Sequence, residues 1–100
     1  MTNMKRKAQL LLRRRQTFPD GSLLEAVIWR LPRADAMHPH GYKYRLYYGF
    51  PGRCLVRYDN EVGKGDHIHY GDVEQPYYFT SVDQLLEDFV SDVLKAKGGA

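Results

Sequence analysis

One cysteine, one tryptophan and five prolines are spread over 100 residues, and what is scarce narrows the reading first. Cys54 stands alone, so the chain closes no internal disulfide and carries no mark of an oxidising compartment. Apolar runs are short. The opening MTNMKRKAQLLLRRR begins basic, but its apolar core stops at Arg13, too short for a signal-peptide core, and no stretch could span a bilayer. The protein is therefore expected in the cytoplasm, with no membrane partner. Repeats and low-complexity segments are missing too. So is a phosphate-cradling loop, because GKG at 63–65 is too short to act as one, and this weakens nucleotide transfer as an activity.

What is present describes one small domain. A chain of 100 residues has room for a single core, so residues 1–100 are read as one domain, with the basic segment 1–7 a candidate for disorder. The apolar fraction of 43% against 27% charged residues places the remainder among folded chains. Tyrosine supplies 8 of the 13 aromatics, a residue suited to half-buried sheet faces and to surfaces that stack on bases. Charge is divided along the chain. Residues 1–57 hold twelve Lys/Arg against Asp20, Glu25 and Asp35, net +9, and residues 58–100 hold three lysines against nine acids, net −6. A basic half points to a polyanion, unless the two halves mix in space and cancel.

Hydrophobic periodicity gives an α+β fold, a mostly antiparallel sheet of four to five strands packed on one face by a C-terminal helix. TFPDGSL (17–23) is a tight-turn sequence between two apolar arms, 8–18 and 22–31, read as a long hairpin, although the first arm also has helix-forming composition. In YKYRLYYGF, Tyr42, Tyr44, Leu46 and Tyr48 alternate with Lys43 and Arg45. In RCLVRYD, Cys54, Val56 and Tyr58 alternate with Arg53, Arg57 and Asp59. A three-residue loop, Phe50-Pro51-Gly52, pairs Leu46 with Val56 and Tyr44 with Tyr58, which separates an aromatic face from a basic one. DHIHY is short enough for a further strand, and EQPYYFT reads as an extended lead-in. Ser81 and Gln84 form a capping box that opens a helix whose Leu85, Leu86, Phe89, Val90, Val93 and Leu94 make one apolar stripe for the core.

The chemistry concentrates in GKGDHIHYGD (63–72). On a strand, His67 and His69 share a face, and two imidazoles beside a phosphodiester can serve as base and acid in turn. Lys64 is placed to offset charge on a phosphorane, and Asp66 to orient a histidine, although strand alternation turns it to the other face. The plain alternative is a solvated hairpin with histidines at its edge. A metal is the sharper competitor: His-x-His chelates well, and Asp59, Glu61 or Asp66 would complete a site. HIHYGDVE even has the spacing of the first cupin motif, but the second has no counterpart and the strands are too few for that barrel. His38 and His40 form a second His-x-His, beside Pro39 in a surface loop. The preferred reading holds no metal and no cofactor.

Basic strands next to this segment favour RNA as the polyanion. Arg13 and Arg15 share a strand face, and with Lys43, Arg45 and Arg57 they are the candidate phosphate contacts, while Tyr47 and Tyr70 are candidates for base stacking. Trp29, Tyr42, Tyr44 and Phe89 are assigned to the core. The competing view of Arg13–Arg15 is an edge strand guarded by charge.

FPDGSLLEAVIWRLP, YKYRLYY, LVRYDNEVGKGDHIHYGD and PYYFTSVDQLLEDFVSDV closely resemble the TumE family of small toxins of type II toxin–antitoxin pairs, over residues 8–95. The signature YDNE-x-GKGDH-x-H adds Tyr58, Asp59, Asn60 and Gly65 as supporting residues. The resemblance implies a bacterial or archaeal toxin, neutralised by an antitoxin with a helix-turn-helix-type DNA-binding domain. Many members carry a basic residue between the two histidines. This chain has Ile68, so a phosphate contact made from that position would be missing. The leading expectation is a metal-independent endoribonuclease toxin, with room for a homodimer. Its rivals are a non-enzymatic module that grips RNA or protein, and a metal-dependent nuclease.

Overall fold

The computed structural model describes residues 7–60 and 63–98, so the disorder expected for segment 1–7 lies, Lys7 apart, outside the described residues. Six strands follow one another: β1 (Gln9–Thr17), β2 (Leu23–Arg30), β3 (Tyr42–Phe50), β4 (Arg53–Asp59), β5 (His67–Tyr70) and β6 (Val73–Pro76), and then α1 (Val82–Ala96). Their order in the sheet is their order in the chain, and every neighbouring pair is antiparallel. The fold is α+β as read, with one strand beyond the expected number. The addition is β6, whose Val73 pairs with Tyr70 across Gly71-Asp72. Gly71 at φ +59° makes that reversal cheap, and Pro76, lacking an N–H, is tolerated at a sheet edge.

Both arms of the first hairpin are strands. At its tip, the Phe18 N–H donates to Ser22 O, the Gly21 N–H donates to Phe18 O, and Asp20 Oδ1 accepts from both the N–H and the hydroxyl of Ser22. Those two bonds hold the Asp20 carboxyl below the usual carboxylate range.

The β3–β4 connection differs from the sequence reading. Phe50 pairs with Arg53, so the turn is the two residues Pro51-Gly52, and a bulge at Leu55 moves the register to Leu46↔Tyr58 and Tyr48↔Val56. The extra residue restores the alternation that a two-residue turn alone would have broken, so the separation of faces survives although the paired partners change. The strands approach closely at this bulge. A Cβ on Gly49 would stand 2.4 Å from Arg53 O and 2.9 Å from Leu55 N, both backbone atoms. Gly49→Ala is therefore expected to destabilise the fold by about 1–3 kcal/mol, read from the urea midpoint. An unchanged midpoint would show that the hairpin shifts freely.

Helix α1 packs across β4. Ser81 Oγ accepts from the Gln84 N–H at 3.0 Å, but the Gln84 amide turns to Asp88, so the capping box is made in one direction only. Leu85, Phe89 and Val93 are buried against Tyr44, Leu46, Tyr48, Val56, Tyr58 and Ile68. The expected single stripe is split, because Val90 and Leu94 are about half exposed. One helix buries only the side that faces the sheet, and residues one step round from Phe89 and Val93 turn away from it. Asp92 accepts from Tyr58 at 2.5 Å and Tyr70 at 2.7 Å, pinning the helix to β4 and β5. Burial first, and the Asp92 carboxylate second, push the Tyr70 phenol up to about 12.

Candidate functional site

With the helix on one face of the sheet, the other face is left open among the described residues, and strand register writes its contents. One row crosses Arg13, Val27, Arg45, Asp59 and His67, and the next crosses Arg15, Glu25, Tyr47, Arg57, His69 and Glu74. Lys43 stands beside Trp29 just above them. At ~4.8 Å per strand, each row runs ~19 Å from β1 to β5. The structure thus brings Arg13, Arg15, Lys43, Arg45, Tyr47, Arg57, His67 and His69 onto one surface. The basic half of the chain cancels only in part against the acidic half here, because β1–β4 carry the cations and α1, with four of the nine acids, lies behind the sheet, while Asp59 and Glu74 stay on the open face.

The rows end in a cluster around a buried carboxylate. Asp59 is 2% exposed, with His67 Nε2 at 2.5 Å from Oδ1 and Arg57 Nε at 2.8 Å from Oδ2. Neither N–H lies in line with its oxygen, so these are charge contacts, and Asp59 Oδ1 and Arg57 Nε have no aligned hydrogen-bond partner among the described residues. His67 Nδ1 stands 2.8 Å from Gly65 O. A carbonyl only accepts, so Nδ1 donates to it, and Nε2, turned to a carboxylate oxygen that also only accepts, presents a proton to Asp59 when the ring carries both protons. Gly65 reaches this position at φ +70°, a conformation that suits glycine.

His69 has the opposite arrangement. Arg57 Nη2 donates to its Nε2 at 2.8 Å, so that nitrogen presents a lone pair. Burial first, and the Arg57 guanidinium second, hold its pKa below the ordinary histidine value, against the pull of Glu74. The two rings meet edge to face with centroids 4.8 Å apart. Lys64 Nζ binds Glu74 at 3.2 Å, and Glu74 Oε2 stands 3.5 Å from His67 and 3.7 Å from His69, so Lys64 belongs to the cluster through Glu74. The Lys64 bond holds the Glu74 carboxyl below its usual range.

Asp66 is not brought to the histidine pair. Strand alternation sends it to the helix side, where it accepts from Tyr44 Oη at 2.6 Å and lies 2.9 Å from His40 Nε2. The nearby carboxylate is instead Asp59, directly opposite His67 in the register. Asn60 is buried, donating to Tyr42 O and accepting from the Tyr44 N–H, so its amide replaces the ladder where β4 leaves β3. Tyr58 is a core residue bonded to Asp92. Ile68, 6% exposed, also faces the core, so its position points away from the histidines and offers them no phosphate contact.

Four further expectations change. His40 is packed rather than a loose loop residue, stacked on Phe79 at 3.8 Å, and His38 is 7% exposed beside Asp35. Tyr70 points to the helix side, bonded to Asp92, and is no stacking platform for the open face. Tyr42 is only half-buried, against His40 and Phe79. Trp29 is not in the core: it is half-buried on the open face, between Leu10 of β1 and Lys43 of β3. Its alternation with the buried Ile28 carried that signal. Glu74 was noticed only as the glutamate of a cupin-like spacing, although a two-residue turn at Gly71-Asp72 sets it opposite His69.

Among the described residues, Asp59, His67 and His69 could hold a metal, with ligand atoms all within 4.8 Å of one another. Arg57 argues against it, since its guanidinium already touches Asp59 and His69, and a divalent cation there would meet a fixed positive charge.

The molecule is thus a single antiparallel sheet backed by one helix, with an open cationic face that ends in a histidine pair. The family model for Toxin TumE matches residues 3–96, and the chain belongs to the TumE toxin family. A toxin family of this kind implies an antitoxin partner. No curated protein and no solved structure matches the chain. No helix among the described residues is long and apolar enough to cross a membrane.

Proposed function

We propose that this toxin is a metal-independent endoribonuclease, on the observation that His67 and His69 sit together at the end of two rows rich in cations. RNA phosphates lie along Arg13, Arg15, Lys43, Arg45 and Arg57. On binding, Arg57 exchanges His69 for a phosphate oxygen and frees the Nε2 lone pair. His69 takes the ribose 2′-hydroxyl proton, and the 2′-oxygen attacks phosphorus. The bond to the 5′-oxygen breaks, and His67, protonated on both nitrogens and released from Asp59, gives its Nε2 proton to that leaving oxygen. The products are a 2′,3′-cyclic phosphate and a 5′-hydroxyl. Arg57 and Lys64 offset charge on the phosphorane. Asp59 takes the orienting role that the sequence offered to Asp66.

The test incubates purified protein with end-labelled single-stranded RNA, with and without chelator. Cleavage that resists chelator and leaves a cyclic phosphate supports the proposal. Cleavage abolished by chelator transfers the site to the second reading, a metal held by Asp59, His67 and His69, which the unpartnered Asp59 Oδ1 favours. RNA bound but not cut, lost on replacing Arg13 and Arg15 and indifferent to both histidines, marks a non-enzymatic module. In either RNA reading, binding weakens steeply with salt, since each phosphate contact releases a counterion.

An RNA target puts the action in the cytoplasm. The cognate antitoxin carries a helix-turn-helix-type DNA-binding domain and has two surfaces to use. On the open face it would cover the site. On α1 it would meet Leu86, Val90 and Leu94, framed by Asp83 and Glu87.

A further inference from the structure

The open face holds a cleft of about 510 Å³ away from the histidines, and the one tryptophan of the chain is among its lining residues. Arg13, Arg15, Lys43 and Arg45 line it with Trp29 and Val27, and Glu25 is the one carboxylate among its described lining residues. Glu25 is partly engaged by Arg15 at 3.7 Å. A partly exposed indole lined by cations is an unusual use of the largest apolar side chain. Burial would have rewarded Trp29 on the helix side, yet Ile28 fills that place. Tyr47 is worse placed to receive a base: its hydroxyl is bonded to Phe50 O, and the Arg45 guanidinium lies 5.4 Å over its ring. Trp29 has no aromatic partner among the described residues.

We propose that Trp29 is the stacking platform for an unpaired base of a single-stranded nucleic acid, whose phosphates are held by Arg13, Arg15, Lys43 and Arg45. Stacking is sequence-tolerant, because every base has a π-face, and the flanking cations read only the backbone. A paired base cannot enter, since its faces are already covered in the duplex. The ligand is therefore single-stranded, and the cleft is a binding subsite on the same face of the sheet as the histidines, a deepening that rests on the nucleic-acid reading above.

A lone tryptophan gives a direct probe. His69→Ala protein is titrated with a single-stranded oligoribonucleotide, with a duplex of the same sequence, with inorganic polyphosphate and with an acidic peptide, following indole fluorescence. The single strand is expected to quench it strongly, while polyphosphate and duplex compete in a salt-sensitive manner without comparable quenching. By anisotropy of the labelled strand, Trp29→Ala weakens binding about 5- to 150-fold, and Trp29→Phe, which keeps a ring and the fold, recovers much of it. Binding unchanged in both variants, or equal quenching by the duplex, would overturn the proposal. An acidic peptide that quenches while the oligonucleotide does not would make the cleft a protein-docking surface and overturn it too. Wild-type cleavage is read in parallel. Quenching without cleavage leaves this subsite standing while the endoribonuclease reading fails, and cleavage without quenching does the reverse.

Discussion

Replacing His69 with alanine is expected to lower RNA cleavage by about 10²–10⁴-fold, the range for losing one positioned general base. The pH profile separates a chemical role from a structural one. The folded pKa of His69 lies below the ordinary value of 6.5, so the base is neutral at pH 7 and its protonation sets the acid limb below that value. Glu74 raises this pKa, so Glu74→Gln moves the acid limb to lower pH. Arg57 lowers it, so Arg57→Gln moves the limb to higher pH, with a further loss of rate from the missing guanidinium. The measurement is kcat/KM between pH 5 and pH 8 for wild type and both variants. Limbs that stay together would show that His69 does not set the profile, even if His69→Ala is inactive.

Asp59→Ala is expected to cost about 3–5 kcal/mol of stability, near the upper end of what single replacements do. The carboxylate is 2% exposed and stands between Arg57 and His67, whose side chain is 5% exposed. Without it, two donors face each other with no counter-charge and little water. Urea unfolding of Asp59→Ala, His67→Phe and the double variant measures the coupling: removing both partners should cost less than the sum, because no charge is then left unpaired. Asp66→Ala is the comparison, since Asp66 is 17% exposed and is expected to lose less. If Asp59→Ala falls within about 0.5 kcal/mol of wild type, as a plain surface change would, the cluster is not held by charge.

Much of the open face was legible along the chain because strand periodicity is local. Lys43 and Arg45 alternate with Tyr44 and Leu46, and His67 with Ile68, so each strand declares its two faces. Those patterns also carried the hairpin, the helix and its Ser81 cap. The β3–β4 partners were misread because a bulge at Leu55 leaves no compositional mark, while two-residue and three-residue turns use the same Pro and Gly. Trp29 was misplaced by a rule about residue type, even though its parity with Val27 put it on the basic side.

By itself the sequence determined the sheet-plus-helix class, the segregation of cations from the core tyrosines, and the family. The first two follow from a period of 2.0 or 3.6 residues, which needs no knowledge of neighbours in space, and the family from its resemblance to a signature, YDNE-x-GKGDH-x-H. Only the tertiary structure decided the company these residues keep. Asp59 rather than Asp66 meets His67, Arg57 gives its hydrogen bond to His69, and Glu74 joins the pair from a strand read as a lead-in. Such partnerships depend on register, and register is set by turns, bulges and the burial of the opposite face, all of which act between strands rather than along them.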